Sequence, residues 1–305
     1  MIGPASHLSC TFSQIDPAVV TRGELLRWAI VELRAAKIPS AEREAVWLVQ
    51  HALGVKELEL RVSHDTRVGC RDVDRTLDLI RRRAAHEPLQ YLLGSQEIAG
   101  LELTVTPAVL IPRADTEVLI DAVCRELAAH RAPVVADVGT GSGCIAVSIA
   151  TRLPGALVHA VDVSRQALEV ARHNAERHRV ASRIVFYEGE LCRPLFAAEL
   201  HGRLSAVVSN PPYIPAGEIS LLQEEVQREP RIALSGGPDG LTFYRRLLPE
   251  ALSLLEPQGC VAFEVGQGQA AAVCRLAEAT GNYYNIETVK DEQGIERVVL
   301  AWKTR

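Results

Sequence analysis

The fold of this chain is indicated most directly by the segment Val134-Val-Ala-Asp-Val-Gly-Thr-Gly-Ser-Gly143. Its first five residues form a short apolar run of the kind that is buried as a strand, and the glycines that follow allow a sharp turn. The helix-like segment Cys144–Arg152 comes next. Because a helix N-terminus offers unpaired N–H groups to a ligand, we predict a nucleotide-type β/α unit that binds its ligand at the glycine loop, residues 139–143.

An acidic residue ends the next predicted strand. Residues 156–161 are apolar apart from His159, and Asp162 follows them. A carboxylate in that place can accept hydrogen bonds from both ribose hydroxyls, as it does in dinucleotide folds. Asp162 also precedes Ser164, a predicted helix cap, and an acid is favourable near a helix N-terminus. Its position beyond a strand end favours the ribose role.

A second polar loop, Asn210-Pro-Pro-Tyr213, follows the apolar run Leu204–Ser209. Consecutive prolines fix the backbone and hold the Asn210 side chain and the nearby carbonyl groups in place. Two acceptors beside the aromatic face of Tyr213 suit the NH2 group of an amide or an aromatic amine. They can rotate that group so that its delocalised lone pair faces an electrophile. A strand-end turn with an ordinary Asn cap is the alternative interpretation.

Taken together, the two loops resemble the class I methyltransferases, which use S-adenosylmethionine and methylate nitrogen. The resemblance rests on the run Asp137-x-Gly139-x-Gly141-x-Gly143 and on Asn210–Tyr213. It implies a Rossmann-like α/β fold with a mostly parallel seven-stranded sheet and a terminal antiparallel strand pair. A nicotinamide oxidoreductase competes for the glycine loop, because Gly141-x-Gly143-x-x-Ala146 satisfies the dinucleotide fingerprint, but it leaves Asn210–Tyr213 without a role.

Length and composition predict two domains. The chain has 305 residues, and 48% of them are apolar, which is enough to fill two cores. We expect a loose tail at residues 1–18, a small all-helical domain at 19–92, a β-hairpin connector at 93–108 and an α/β catalytic domain at 109–305. Helix-like periodicity in the first domain covers four segments: Arg22–Ala36, Ser40–Leu53, Glu57–Val62 and Arg71–His86.

Charge and cysteine usage narrow the classes of function. A net charge of −5 and a pI near 6.0 argue against stable binding to nucleic acid. The basic run 81–83 closes a predicted helix, where we expect a solvated helix end rather than a docking patch. The seven cysteines are dispersed, which favours reduced thiols in the cytoplasm and no metal site. No apolar run reaches eighteen residues and no secretory signal is present, so we expect no membrane partner.

Further motifs narrow the resemblance to one family. In chain order they are Tyr91, Gly94, Val109–Arg113, Asp115-Thr-Glu117, Asp137–Gly143, Asn210–Tyr213, Glu229-Pro230, Ala233-Leu234, Gly236–Leu241 and Tyr244-Arg245. With the helical N-terminal domain, they resemble the protein-(glutamine-N5) methyltransferases that modify peptide chain release factors. The similarity covers residues 22–302. It implies methylation of the glutamine in the Gly-Gly-Gln motif of a release factor, which the helical domain docks.

The resemblance also implies roles for single residues. Gly139, Thr140, Gly141, Ser142 and Gly143 would hold the methionine end of S-adenosylmethionine, Asp162 its ribose and Leu191 its adenine, and Asn210 would also contact this cofactor. Asn210, with the carbonyl of Pro211, would accept from the glutamine NH2, Pro212 would stiffen the loop and Tyr213 would line the pocket. Two positions depart from the family pattern, Ala114-Asp115 and Glu190. Ala114-Asp115 replaces the family's Pro-Glu and changes the start of a helix. Glu190 replaces the family's Asp, and its longer side chain must take a different position near the adenine.

Other interpretations remain open from sequence. The chemistry of Asn210–Tyr213 also suits a DNA adenine N6-methyltransferase, although this acidic chain lacks a basic groove and a target-recognition region. A glutamine of a ribosomal protein would need nearly the same site, and a non-enzymatic adaptor can retain the fold. Arg113 either meets an acidic partner or ties the hairpin to the sheet, and Glu264, inside an apolar strand, is expected to be paired. We expect no general base and a monomer.

Overall fold

The computed structural model describes residues 20–304, so the tail predicted at residues 1–18 lies outside the described residues. The chain divides into two compact units between Leu93 and Gly94. The domain roles assigned to residues 19–92, 93–108 and 109–305 stay predictions. Within residues 20–304, no helix has the length and apolarity needed to cross a bilayer.

The first unit is helical. Its helices are α1 (Arg22–Ala35), α2 (Ala41–Leu53), α3 (Glu57–Val62), α4 (Cys70–Ala84) and α5 (Leu89–Leu93). A capping box starts α1, because the Thr21 side chain accepts from the Glu24 amide while the Glu24 carboxylate accepts from the Thr21 amide. Gly54, in the left-handed conformation, ends α2. Leu25, Leu33 and Leu48 are fully buried in the core that these helices share.

The basic run that closes α4 differs from the prediction. Arg81 and Arg82 are exposed, but Arg83 is only 4% exposed and its Nε donates to Oε2 of Glu44 at 2.5 Å. Arg83 lies three residues after the buried Ile80 and therefore shares its face of the helix. The expectation of a solvated helix end is wrong for Arg83.

The second unit begins with a hairpin and a helix. Strands β1 (Ser95–Ile98) and β2 (Leu101–Thr104) pair antiparallel, with Ile98 opposite Leu101. This hairpin agrees with the predicted change of pattern, although it belongs to the compact unit that starts at Gly94. Helix α6 (Asp115–Glu126) follows, and Ala114 precedes it without a side-chain cap.

A seven-stranded sheet forms the centre of this unit. Its strands are β3 (Val134–Val138), β4 (Leu157–Asp162), β5 (Ile184–Glu188), β6 (Leu204–Ser209), β7 (Leu255–Glu264), β8 (Tyr283–Lys290) and β9 (Glu296–Lys303). They lie in the order β5-β4-β3-β6-β7-β9-β8. Strands β3 to β7 are parallel, while β9 pairs antiparallel with β7 and with β8. The predicted fold class is confirmed.

Further α-helices of this unit follow α6 in the chain, and the longer of them cover both faces of the sheet together with α6. They are α7 (Cys144–Arg152), α8 (Arg165–Arg177), α9 (Arg193–Ala197), α10 (Glu224–Gln227), α11 (Arg231–Leu234), α12 (Thr242–Leu254) and α13 (Ala270–Ala279). Neighbouring residues of a strand point to opposite faces, so Val135 packs in the core that contains α6 and α7. Ala136 packs in the core that contains α12 and α13. The inner parallel strands β3, β4 and β6 are buried on both sides, as their apolar runs predict, whereas the edge strand β5 is partly exposed.

The Glu44–Arg83 pair provides a test of the first unit. We expect Glu44→Ala to lower the free energy of unfolding by about 3 kcal/mol, because it leaves a buried guanidinium without its carboxylate. The matched control is Glu42→Ala on the same helix, since Glu42 pairs with Arg34 at the surface. Urea unfolding should show a lower midpoint for the first variant and a nearly unchanged midpoint for the second. Equal midpoints for the two variants would contradict the buried pair.

Candidate active site

A cavity of about 380 Å³ lies beyond the carboxyl ends of β3, β4 and β6, a size typical of small-molecule sites. Parallel strands place their carboxyl ends at one edge of a sheet, so loops distant in sequence meet there. The lining comes from residues 108–110, 138–139, 141, 161–164, 167, 189–191, 209–212, 230, 232–233, 243 and 246.

The glycine loop forms one wall of the cavity. Gly139 and Gly141 line it, both with positive φ, and no atom lies within 4 Å of where a Cβ would stand. At Gly143, in contrast, a Cβ would lie 3.0 Å from the Cβ of Ala171 in α8. Gly139 and Gly141 therefore open the backbone toward a ligand, while Gly143 allows the loop to approach α8 closely.

A buried carboxyl group holds the glycine loop from beneath. Asp137 Oδ2 accepts from Thr140 Oγ1 at 2.6 Å and from the Ala146 amide at 3.1 Å, so it ties the loop to the start of α7. Burial raises the pKa of Asp137 to about 7, against the opposing effect of these hydrogen bonds. Thr140 is turned toward Asp137 and does not line the cavity.

Asn174 holds the same loop from the side. This fully buried residue of α8 donates from Nδ2 to the carbonyl oxygens of Ser142 at 2.8 Å and of Thr104 at 2.9 Å. Its Oδ1 accepts from the Thr104 amide at 2.7 Å. Ser142 is itself buried and does not line the cavity. One carboxamide therefore joins the glycine loop to the end of the hairpin.

Asp162 lies at the end of β4 and lines the cavity, and its role at a ribose stays a prediction. Its Oδ2 accepts from the Gly141 amide and its Oδ1 from the Ser164 amide, each at 2.9 Å. Burial raises its pKa, while the backbone hydrogen bonds oppose that shift. Each carboxylate oxygen has more than one acceptor site, so both can also accept from a ligand.

Leu191 and Glu190 line the cavity beyond β5. The Glu190 carboxylate lies 2.6 Å from Arg246 and 3.3 Å from Arg193. Its hydrogen bond with Arg246 holds the pKa of Glu190 below its usual value. The longer acid at this position is therefore directed to two arginines, one of which, Arg246, also lines the cavity.

The loop after β6 supplies the opposite wall. Asn210, Pro211 and Pro212 line the cavity. Ser209, the last residue of β6, donates from Oγ to the Val138 carbonyl at 2.6 Å and so joins the ends of β6 and β3. The two loops that the sequence singles out therefore face one cavity.

Tyr213 is placed differently from the prediction that it lines the pocket, since it is not among the lining residues. Its carbonyl accepts from Gln269 Nε2 at 2.9 Å, and its ring packs near Gly266. Burial raises the pKa of its phenol well above the usual value. In this structure Tyr213 anchors the loop, and a direct role at the substrate stays a prediction.

Sequence reasoning gave no role to Thr116 and expected Glu264 only to be paired. Asn210 Nδ2 donates to Thr116 Oγ1 at 3.3 Å, and Thr116 Oγ1 donates to Glu264 Oε2 at 2.8 Å. Glu264 is 1% exposed. The pairing expected of Glu264 is thus with a hydroxyl group that also contacts Asn210. In the sequence, the only indication of this network is an acidic residue, Glu264, inside an otherwise apolar strand.

Arg113 pairs with Glu229 within this unit, so it ties two loops together. The buried Glu229 also accepts from the Ile111 amide at 2.9 Å. The pair thereby joins segment 109–113, which contributes cavity-lining residues, to Pro230, which also lines the cavity. Of the two interpretations of Arg113, the structure favours the structural tie, although the tie reaches the 229–230 loop and not the hairpin.

Family models match both units. The PrmC N-terminal domain matches residues 24–94, and the methyltransferase small domain matches residues 114–238. A release factor glutamine methyltransferase of Geobacter sulfurreducens is 43% identical over 284 residues, which cover 93% of this chain and 97% of that protein. The chain belongs to the release factor glutamine methyltransferase family. The predicted family is confirmed, and the protein is a methyltransferase.

Other relatives agree with this membership. The release factor glutamine methyltransferase of Moorella thermoacetica is 42% identical and covers 93% of this chain and 99% of its own length. Among solved structures, the hMettl16 catalytic domain in complex with MAT2A 3'UTR hairpin 6 has a TM-score of 0.54 at 14% identity. It covers 77% of this chain and 82% of that chain. This structural likeness shows the fold that the methyltransferase shares.

The Glu229 contacts provide a test of the cavity wall. In Glu229→Ala we expect the Ile111 amide to lose protection from hydrogen exchange and methyl transfer to fall about 10–100-fold, because the 109–113 segment shifts. Glu229→Gln retains an acceptor for that amide and should keep more of both properties. Glu218→Ala, at an exposed position before the same loop, is the control. Hydrogen exchange followed by mass spectrometry, together with initial rates, measures the effect. Unchanged protection of Ile111 would contradict it.

Proposed function

We propose that this enzyme transfers the methyl group of S-adenosylmethionine to the side-chain amide nitrogen, N5, of the glutamine in the Gly-Gly-Gln motif of peptide chain release factors. The observation that supports this most is a shared cavity. Asn210, Pro211 and Pro212 line one side of it, and Gly139, Gly141 and Asp162 line the other. A site for a planar NH2 group and a site for a nucleoside-type ligand are thus adjacent.

The cavity suits the proposed methyl donor. Gly139 and Gly141 leave the backbone open, and Asp162 offers carboxylate acceptors for ribose hydroxyls. Leu191 offers an apolar contact for a base, next to the half-buried Glu190. Thr140, Ser142 and Gly143 would act indirectly, since they shape the loop and do not line the cavity. Bound S-adenosylmethionine supplies a methyl group on a positively charged sulfur.

The chain's own contribution to the reaction is positioning. An amide nitrogen is a poor nucleophile because its lone pair is delocalised into the carbonyl group. We infer that Asn210 Oδ1 and the Pro211 carbonyl accept from the two N–H groups of the substrate and turn the lone pair toward the methyl group. Such alignment is worth up to about 7–11 kcal/mol in favourable cases. The proton is released after the transfer, so none of the residues needs to act as a base before attack.

The proposed protein substrate rests on the relatives. They are named for release factor glutamine methylation, and their lengths match that of this chain. The match of residues 24–94 to the PrmC N-terminal domain supports a docking role for the helical unit. The net charge of −5 favours a protein substrate over nucleic acid. We place the reaction in the cytoplasm, where translation termination occurs.

Labelled S-adenosylmethionine tests the substrate and the modified residue together. We expect label to appear on a purified bacterial-type release factor and not on a matched factor whose Gly-Gly-Gln glutamine is changed to alanine. Peptide mass spectrometry locates the methyl group on the glutamine side chain. Label on both factors would refute the assigned residue. Label on neither factor, with the donor bound normally, would favour a glutamine of a ribosomal protein and then DNA.

Removing the Asn210 side chain tests the assigned role. We expect Asn210→Ala to bind S-adenosylmethionine almost normally and to lose methyl transfer by about 10²-fold or more, because the amide NH2 loses an acceptor. Asn282→Ala, at an exposed position of the same unit, should retain both properties. Isothermal titration and single-turnover rates measure the two effects separately. A wild-type rate in Asn210→Ala would refute the role.

A further inference from the structure

A buried hydrogen-bonded chain runs from the end of β7 to the cavity. Glu264 is the last residue of β7 and is 1% exposed, and Thr116, in the first turn of α6, is 3% exposed. Thr116 Oγ1 donates to Glu264 Oε2 at 2.8 Å and accepts from Asn210 Nδ2 at 3.3 Å. Asn210 in turn lines the cavity. A carboxyl group that does not line the cavity is therefore connected to a residue that does.

The chemistry of the three groups fixes the direction of this chain. An ionised carboxylate only accepts, so the single proton of the Thr116 hydroxyl is committed to Glu264. The group of Asn210 that faces Thr116 must then be the donor, its NH2. Because a carboxamide is planar and carries its oxygen opposite its nitrogen, Oδ1 remains available to a ligand. The network thus assigns the orientation of the Asn210 amide, which geometry alone leaves ambiguous.

Resting on the proposed function, we propose that Glu264, acting through Thr116, is a positioning residue that keeps Oδ1 of Asn210 available to the substrate NH2, and that protonation of Glu264 abolishes this orientation. A protonated Glu264 can donate to Thr116, whose own proton then turns to Asn210. The amide is now favoured with Oδ1 toward Thr116. Its NH2 faces the NH2 of the substrate, and two donors do not bind each other.

The surroundings of Glu264 place this change near neutral pH. Burial raises the pKa of Glu264 to about 7. The hydrogen bond from Thr116 lowers it, Asp115 raises it, Arg297 lowers it, and a hydrogen bond from the NH2 group of Asn210, which also faces the carboxylate, lowers it. The carboxyl group therefore loses its proton near pH 7, and the proposed orientation of Asn210 is present above that value and lost below it.

Other titratable groups lie close to Glu264. They are Asp115 of α6, Cys144 of α7, Tyr213, Tyr244 of α12 and Arg297 of β9. Arg297 pairs with Asp115 at 3.0 Å, and the Tyr244 hydroxyl donates to the Glu264 carbonyl at 2.7 Å. Burial raises the pKa of Cys144 and of both tyrosines, so these three stay protonated near neutral pH.

Asp137 is the competing source of a pH dependence. This second buried carboxyl group also has a pKa raised to about 7, but it holds the glycine loop and has no contact with Thr116 in the described network. Substitution at Glu264 and at Thr116 separates the two groups, since neither substitution removes the contacts of Asp137.

The test is the pH dependence of single-turnover methyl transfer with donor and release factor at saturation. We expect the wild-type rate to decrease as the pH is lowered below about 7, and this decrease is the acid limb of the pH profile. Glu264→Gln cannot titrate, so it should be slower by about tenfold at high pH and lack the acid limb, with donor affinity unchanged. Thr116→Val should lose the limb as well, whereas Thr116→Ser retains the hydroxyl and should restore both rate and limb. Near-ultraviolet circular dichroism confirms that each variant is folded.

An acid limb that persists in Glu264→Gln would overturn the proposal and assign the limb to another group, such as Asp137. A wild-type rate in Thr116→Val would overturn it equally. A second readout does not depend on activity: the side-chain NH2 resonances of Asn210 should titrate with pH in the wild type and not in Glu264→Gln. If the wild type methylates no release factor, the proposed function fails, and this titration still decides whether Glu264 orients Asn210.

Discussion

Parallel pairing of β3 with strands on both sides is the constraint on which the cavity depends. Asp137 lies opposite Ala160 of β4 and opposite Val208 of β6, so the three strands end at one level. The glycine loop, Asp162 and Asn210 follow these ends directly. Their proximity therefore requires no special contact among the loops themselves. It follows from register, and the hydrogen bond from Ser209 to the Val138 carbonyl strengthens it.

Two buried carboxyl groups, Asp137 and Glu264, lie behind opposite walls of this cavity, and burial raises the pKa of each to about 7. Between the ordinary carboxyl pKa and that value, the folded state binds more protons than the unfolded state. The free energy of unfolding therefore falls as pH rises through this range. The proposed orientation of Asn210, in contrast, requires Glu264 to be ionised, which occurs at the higher pH. The pH at which Glu264 is ionised is therefore also the pH at which these two carboxyl groups stabilise the folded state less.

The bounds of β3 and β6 could be predicted because each is a mainly apolar stretch that ends at Gly139 or at Asn210-Pro211, and the start of α7 because it directly follows Gly143. Helices α9, α10 and α11 are too short to show a helical period, and the sequence did not predict them. Contacts between residues that are distant in sequence could not be predicted for a different reason. Arg83 resembles its two exposed neighbours, and the partner of Arg113 lies 116 residues away. Local patterns indicate which residues are buried, but not which polar groups are buried together.

The hydrogen bonds of Asn174 have a consequence for the dimensions of the cavity. The segment that follows β2 supplies one wall of it, at residues 108–110, and the glycine loop supplies another. Both walls are connected to the same carboxamide, through Thr104 and Ser142 respectively. Together with the contacts of Glu229, the Asn174 side chain therefore contributes to the distance between them. A glutamine there would be one methylene longer, and relatives that accommodate a different donor would be expected to change this residue together with its two carbonyl partners.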